Sequence, residues 1–280
     1  MITNYHTHSS FCDGKGQLED YVKYAISRGF HALGFSGHAP LPFPNDWTMN
    51  EENLSTYIRE VLALKERYRD SLEIYLGLET DYLDKKHNPA HPKYKALGLD
   101  YQIGSVHHLY SPERTEFLQV DYTKEELELL LKDTFDKDIK ALVSTYYRMV
   151  REMVQTGGFE ILGHLDLVKK QNRGNVYFDE TEKWYKREIE KTLETVAETD
   201  VILEINTGAM ARGYTAEPYP SPWIIDRAAE LKIPVTINSD AHRPEWLDYG
   251  FEEAENLARA AGYSSKIVYT EGEWREIGYE

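Results

Sequence analysis

Nine His, Asp and Glu residues stand at or just past short apolar runs: His6, His8, Asp13, His38, Glu79, His107, His164, Asp240 and His242. The first two belong to an H-T-H triplet. Alternate side chains of a strand share a face. His6 and His8 would therefore point the same way and form half of a metal site. One such triplet carries little weight. An isolated His38 or His164 would be an ordinary rim residue, and an isolated Asp240 could cap a helix. Nine of them together are hard to obtain from such causes. They also exceed what one ion can use, since a tetrahedral ion takes four ligands and an octahedral ion six including water. Two or three ions fit better, with Glu79 able to bridge two. The donors are imidazole nitrogen and carboxylate oxygen, without thiolate, which suits zinc, manganese or iron. Clustered divalent ions supply a hydroxide nucleophile and clamp anionic oxygens, so hydrolysis of a phosphate ester is the natural reaction. Cys12 is the single cysteine. The D-G-K-G-Q-L-E-D that follows it has no arginine to serve a thiol nucleophile, so it reads as a small packed residue.

The elements that must position these groups alternate along the chain. Short apolar or β-branched runs occur at 2–5, 32–35, 72–78, 101–106, 160–162, 201–205, 234–237 and 266–269. Helical periodicity near 3.6 occupies 18–28, 54–68, 125–153 (two helices), 182–197, 222–231 and 252–261. Such alternation predicts a parallel sheet. A closed β/α barrel leads and an open doubly wound sheet follows. No G-x-G-x-x-G stands behind the first run, which weakens a dinucleotide fold. Six of the ten histidines then fall at C-terminal strand ends, which converge on one mouth in a barrel. Two connections are long, at about 39–53 and 108–123. Loops of that length are usually functional or disordered, and their aromatic content favours function.

Composition sets the class. The 280 residues are 41% hydrophobic and 29% charged, which is typical of a folded chain. The net charge of −16 repels a phosphate backbone, so nucleic acid is not an expected partner. No stretch reaches the roughly 18 apolar residues a membrane span needs. The start lacks a basic segment followed by an apolar run. One cysteine fits a reducing compartment. The expectation is a soluble cytoplasmic protein acting on a small molecule, its oligomeric state unspecified.

The stretches H-T-H-S-S-F-C-D-G, G-H-A-P-L-P, G-L-E-T-D-Y, G-S-V-H, G-H-L-D, E-I-N-T and N-S-D-A-H resemble the successive motifs of the PHP superfamily (polymerase and histidinol phosphatase). They span residues 6 to 242. Within the superfamily the chain is most similar to the monofunctional histidinol-phosphatases. The details are G-H-A-P-L-P-F-P-N-D-W-T-M, G-L-E-T-D-Y and the long segment after G-S-V-H-H. The resemblance implies an α/β fold, a single distorted (β/α)7 TIM-like barrel over residues 1–280, with seven units rather than the eight counted above.

It also implies a trinuclear centre. His6, His8 and Asp240 would hold one ion, with Glu79 bridging to a second completed by His107 and His164. Asp13, His38 and His242 would hold the third. Many relatives have a histidine where Asp13 stands, so the third ion here meets a harder ligand. The implied reaction is hydrolysis of L-histidinol phosphate to L-histidinol and phosphate in histidine biosynthesis. Attack comes in line with the ester oxygen, and the ions neutralise charge in the transition state. Asp240, Glu79 and His242 are the candidate catalytic residues, with Asp240 or a bound water protonating the leaving alkoxide. Lys169, Arg212 and Arg243, the basic residues nearest the motif strands, are candidates to grip phosphate. Asn206 either orients substrate or ties adjacent loops. Trp47 and the 110–122 segment would cover the substrate, with Glu113 or Glu116 suiting its ammonium group. Three alternatives stand beside this. One is a PHP-type phosphoesterase acting on phosphotyrosine protein or nucleotides. Another is an amidohydrolase, and the third is a non-catalytic metal-binding module.

Overall fold

A computed structural model describes residues 1–279. Seven strands run parallel: β1 (Thr3–Asn4), β2 (Ala32–Phe35), β3 (Glu73–Asp81), β4 (Tyr101–Ser105), β7 (Ile161–Leu162), β8 (Ile202–Asn206) and β9 (Val235–Asn238), hydrogen-bonded in that order. All their residues except Glu73 and Gln102 are buried, as expected where helices cover one face of a parallel sheet and its own interior the other. The two edges meet past the strand ends. His8 N donates to Ala241 O at 2.9 Å and Ala241 N to His6 O at 3.1 Å, bridging Thr7 to Ala241. The sheet is therefore a distorted seven-stranded barrel.

Helices follow the apolar stripes. In Leu18–Ser27 the residues Leu18, Tyr21, Val22 and Ala25 are buried, one face at helical spacing. The expected two helices in the 125–153 region are Lys124–Asp133 and Ile139–Thr156. Asp136 and Lys137 lie between them with positive φ. Asp138 starts the second helix by accepting from Lys140 N and Ala141 N, an N-cap that satisfies two orphan donors. Gly157, at φ 70°, lies in a conformation only glycine adopts cheaply and stops it.

The eighth expected barrel strand behaves differently. Residues 266–269 lie in β10 (Ser265–Thr270), which pairs antiparallel with β11 (Glu273–Gly278). Glu271 and Gly272, both at positive φ, make the turn, which matches the twist of a hairpin. The hairpin closes the N-terminal end of the barrel. Tyr269 and Trp274 pack on Tyr5, Tyr75 and Tyr101, and Thr270 and Glu271 donate to Glu73 at the start of β3. Tyr101 fills the interior, where a Cβ on Gly34 or Gly77 would run into its ring.

The two long connections lie at the opposite end. Residues 39–50 are irregular. The 108–123 segment is largely an antiparallel pair, β5 (His108–Ser111) and β6 (Glu116–Gln119). They meet where Phe43 stacks on Phe117, centroids 5.4 Å apart. Among the described residues no helix is long and apolar enough to cross a membrane.

Candidate metal centre

Glu79, near the end of β3, is the hub. Its Oε2 lies 3.1 Å from His6 Nε2, 2.9 Å from His38 Nδ1 and 3.5 Å from His8 Nε2. Its Oε1 lies 2.9 Å from His164 Nε2 and 3.5 Å from His107 Nε2, and accepts from Ser105 Oγ at 2.6 Å. Five imidazoles from the ends of β1, β2, β4 and β7 thus surround one fully buried carboxylate. Two further carboxylates flank them. Asp240 Oδ1 is 3.1 Å from His8 Nε2 and 3.7 Å from His6 Nε2. Asp13 Oδ2 is 2.9 Å from His242 Nε2, and its Oδ1 is 3.8 Å from His8 Nδ1 and His38 Nε2. Asp240 (φ 46°) and His164 (φ 20°) carry positive φ, backbone strain of the kind that gathers at functional sites.

All nine predicted ligand residues therefore meet in one place. Three sets present ligand atoms within 4.8 Å of one another: His8, Asp13, His38 and His242; His6, Glu79 and His164; His6, His8 and Asp240. Their fit to a cation shows in atoms left without hydrogen bonds. His6 Nε2, His8 Nε2, His38 Nδ1, His164 Nδ1, Asp13 Oδ1 and Glu79 Oε2 are buried and unpartnered. Buried polar atoms are nearly always paired, and orphans of both nitrogen and carboxylate type gathered around Glu79 match a metal donor set, His164 turning its Nε2 to that carboxylate. Burial opposes ionisation of Glu79 and Asp240. The imidazoles around Glu79, and Arg212 and His6 beside Asp240, outweigh it and hold both well below the usual carboxylate range. Burial, with His38 and His242 nearby, pushes His8 down to about 3. Both carboxylates and His8 are thus deprotonated. At His6, His38 and His107 burial is outweighed by the neighbouring carboxylates, which hold these rings in the charged form, whose protons a bound metal would displace.

Two carboxylates escaped the sequence reading. Glu204 Oε1 lies 2.7 Å from His6 Nδ1, and Asp81 Oδ1 lies 2.7 Å from His107 Nδ1. Each turns the opposite ring nitrogen into the cluster, the usual way a ligating histidine is oriented. Strand alternation could have found them, because Asp81 shares a face with Glu79 and Glu204 with Asn206. The Cys12 thiol sits 3.6 Å from His8 Nδ1, and burial pushes it up to about 12, so it is no nucleophile.

The cluster floors a cleft of about 350 Å³. Trp47 covers it, its ring 4.4 Å from His38, 5.3 Å from His107 and stacked on His108. Arg212 lines the cleft and donates to Asp240 Oδ2 at 2.9 Å. Arg243 also lines it, half exposed and over the Trp246 ring. Lys169 does not. It is buried against Asp166 (2.9 Å) and Ser221, and Lys170 faces the cleft instead. Asn206 is buried, its side chain accepting from Gly208 N and donating to Glu204, each two residues away along its own strand and turn, and it does not line the cleft. Glu113 and Glu116 are exposed and Glu116 pairs with Arg114. Neither lines the cleft.

Residues 4–208 match the PHP domain family. The chain belongs to that family. It is 32% identical over 267 residues, 92% of each chain, to a Deinococcus radiodurans protein named "Probable histidinol-phosphatase". To the histidinol-phosphatase of Bacillus subtilis it is 29% identical over 88% of this chain and 96% of that one. A histidinol phosphate phosphatase of Lactococcus lactis, solved with zinc, L-histidinol and phosphate, shares the fold at a TM-score of 0.73. Its identity is 22%, with 98% of each chain covered. The fold it shares is the barrel described above.

Proposed function

We propose that this chain is a metal-dependent histidinol-phosphatase, hydrolysing L-histidinol phosphate to L-histidinol and phosphate in histidine biosynthesis. The carrying observation is Glu79 at the centre of five imidazoles, with Asp13 and Asp240 on either side. The full-length likeness to histidinol-phosphatases supports the substrate.

Two to three divalent ions, zinc, manganese or iron, suit this donor set. His6, His8, Asp240 and Glu79 would hold one, Glu79, His107 and His164 a second, and Asp13, His38 and His242 a third. When bound, such ions supply Lewis-acid charge to a phosphoryl group and a nucleophile at neutral pH. The chain's own side chains do the rest. Arg212 brings a permanent positive charge to the cleft wall, where it can meet phosphate oxygens bidentately. Its bond to Asp240 keeps that carboxylate ionised, which suits Asp240 to ligation and not to the role of proton donor expected for it from the sequence. Trp47 and the β5–β6 hairpin restrict water above the cluster and so strengthen its electrostatics. We also read the protein as cytoplasmic, which its single cysteine fits, and as without a nucleic-acid partner, on the strength of its net charge of −16.

The test is phosphate release from L-histidinol phosphate, run beside a phosphotyrosine peptide and a bis(aryl) phosphate, with metals counted on the same sample. Strong preference for L-histidinol phosphate with two to three ions per chain (about what nine ligands imply) is expected. Equal or better turnover of the other two substrates would sink the assignment.

A further inference from the structure

We propose that Asp121 receives the ammonium group of the substrate, making the enzyme selective for phosphate monoesters that carry an amine next to the esterified carbon. The inference rests on the phosphatase reading above.

Four carboxylates line the cleft: Asp13, Glu79, Asp121 and Asp240. Three of them face imidazoles of the cluster. Asp121 lies near His107 and His164 but makes no hydrogen bond or ion pair with them. Its Oδ2 accepts from Lys170 Nζ at 2.9 Å, while its Oδ1 is buried with no hydrogen-bond partner. The residue is 8% exposed. Its backbone is fixed at the edge of the cluster, since the adjacent Val120 N donates to His107 O at 2.9 Å and Gln171 Nε2 donates to Asp121 O at 3.1 Å.

A carboxylate has about four acceptor positions, so Lys170 leaves capacity on the other oxygen. A buried, unfilled anionic acceptor in a cleft is complementary to a cation that arrives with the substrate. L-histidinol phosphate carries its amine on the carbon beside the phosphorylated CH₂. With its phosphate on the metal cluster the amine cannot lie far away, and Asp121 is the one lining carboxylate free of the cluster. Gln119 and Tyr122, on either side of it in sequence, line the same cleft and leave room for the imidazole tail.

The experiment compares L-histidinol phosphate with 3-(imidazol-4-yl)propyl phosphate, which lacks only the amine, on the metal-loaded wild type and on Asp121→Asn. A charge-assisted hydrogen bond lost from a desolvated site corresponds to about 10- to 100-fold in kcat/KM. The wild type should prefer the amine-bearing ester by that factor, mainly through KM. Asp121→Asn should lose most of the preference while handling the amine-less ester within about threefold of wild type. Equal turnover of both esters by the wild type would overturn the inference even if the variant fails to fold. So would a variant that keeps the preference, or one that loses both esters together with its metal. Failure of the substrate reading looks different: the wild type itself would not turn over L-histidinol phosphate, and Asp121 would lose its proposed ligand with it.

Discussion

His6 Nδ1 and Glu204 Oε1 are 2.7 Å apart, both side chains fully buried, joining the end of β1 to β8 across the barrel. Glu204 is engaged on every side. Its Oε2 accepts from His164 N and Asn206 Nδ2, and its Oε1 also accepts from Asn238 Nδ2. Glu204→Gln keeps the shape but removes the charge and puts an NH₂ at one of the two oxygen positions, where it meets donors whichever way the amide turns. The expected result is a loss of about 10- to 100-fold in metal affinity, the usual cost of removing a histidine's backing carboxylate. Elemental analysis after dialysis against graded chelator reads this directly. Full metal content at wild-type chelator resistance would show that His6 needs no anionic partner.

Arg212 should report on phosphate rather than on metal. Its guanidinium bonds Asp240 and lies 2.9 Å from His242 Nδ1, yet it is neither a donor to a cation nor part of the cluster. Arg212→Met removes the charge and keeps the apolar stem. Removing one electrostatic stabiliser from a phosphoryl-transfer site costs on the order of 10²-fold in kcat. With metal supplied in excess, to offset the lost bonds to the ligand candidates Asp240 and His242, the variant is expected to lose about that much turnover. Steady-state kinetics with metal counting checks it, and wild-type turnover would exclude Arg212 from the reaction.

The candidate ligand set was legible because strand ends of a parallel barrel converge and most of these residues stand at or a few residues past a strand end, Asp13 lying farthest from β1 (Thr3–Asn4). His38 past β2 and His107 past β4 needed no knowledge of the rest. What escaped depends on contacts between distant segments. Alternation puts Glu204 on the same face as Asn206, but that it backs His6 depends on β8 facing the end of β1, which no local pattern shows. Lys169 and Lys170 differ by one position in a tight turn, Leu167–Lys169. The turn buries the first against Asp166 and presents the second to the cleft. Residues 266–269 have the composition of a barrel strand, but a two-residue turn at Glu271–Gly272 lets them pair with 273–278 instead. Alternating burial in β10, with Lys266, Val268 and Thr270 inside, is the trace of that choice, and it differs from the parallel strands, buried throughout except at Glu73 and Gln102.

Removal of metal should destabilise the protein as well as silence it. The unpartnered atoms of His6, His8, His38, His164, Asp13 and Glu79 are buried together, and a ligand that binds only the folded state stabilises it by mass action, about 4 kcal/mol at a thousandfold excess over Kd. Chelation is expected to abolish phosphate release and lower Tm by several degrees (about 2–4 °C per kcal/mol at this size). Zinc or manganese should restore both. An unchanged Tm in a sample shown free of metal would mean that the cluster is held entirely by the barrel.

The closed end of the barrel offers the converse separation. Trp274 on β11 lies 5.7 Å from Tyr5, 6.4 Å from Tyr101 and 4.9 Å from Tyr269, ring to ring. It is half-buried, so Trp274→Ala gives up less than the 3–5 kcal/mol of a fully buried tryptophan, about 2 kcal/mol. None of those three tyrosines lines the catalytic cleft, and the cluster is positioned by strand ends on the far side of Tyr101. Unfolding in urea should show the lost stability, while kcat/KM for L-histidinol phosphate stays within about twofold, as expected for sites with no shared partners. A large loss of turnover at full metal occupancy would mean that packing at the N-terminal end sets the geometry of the ligands at the other.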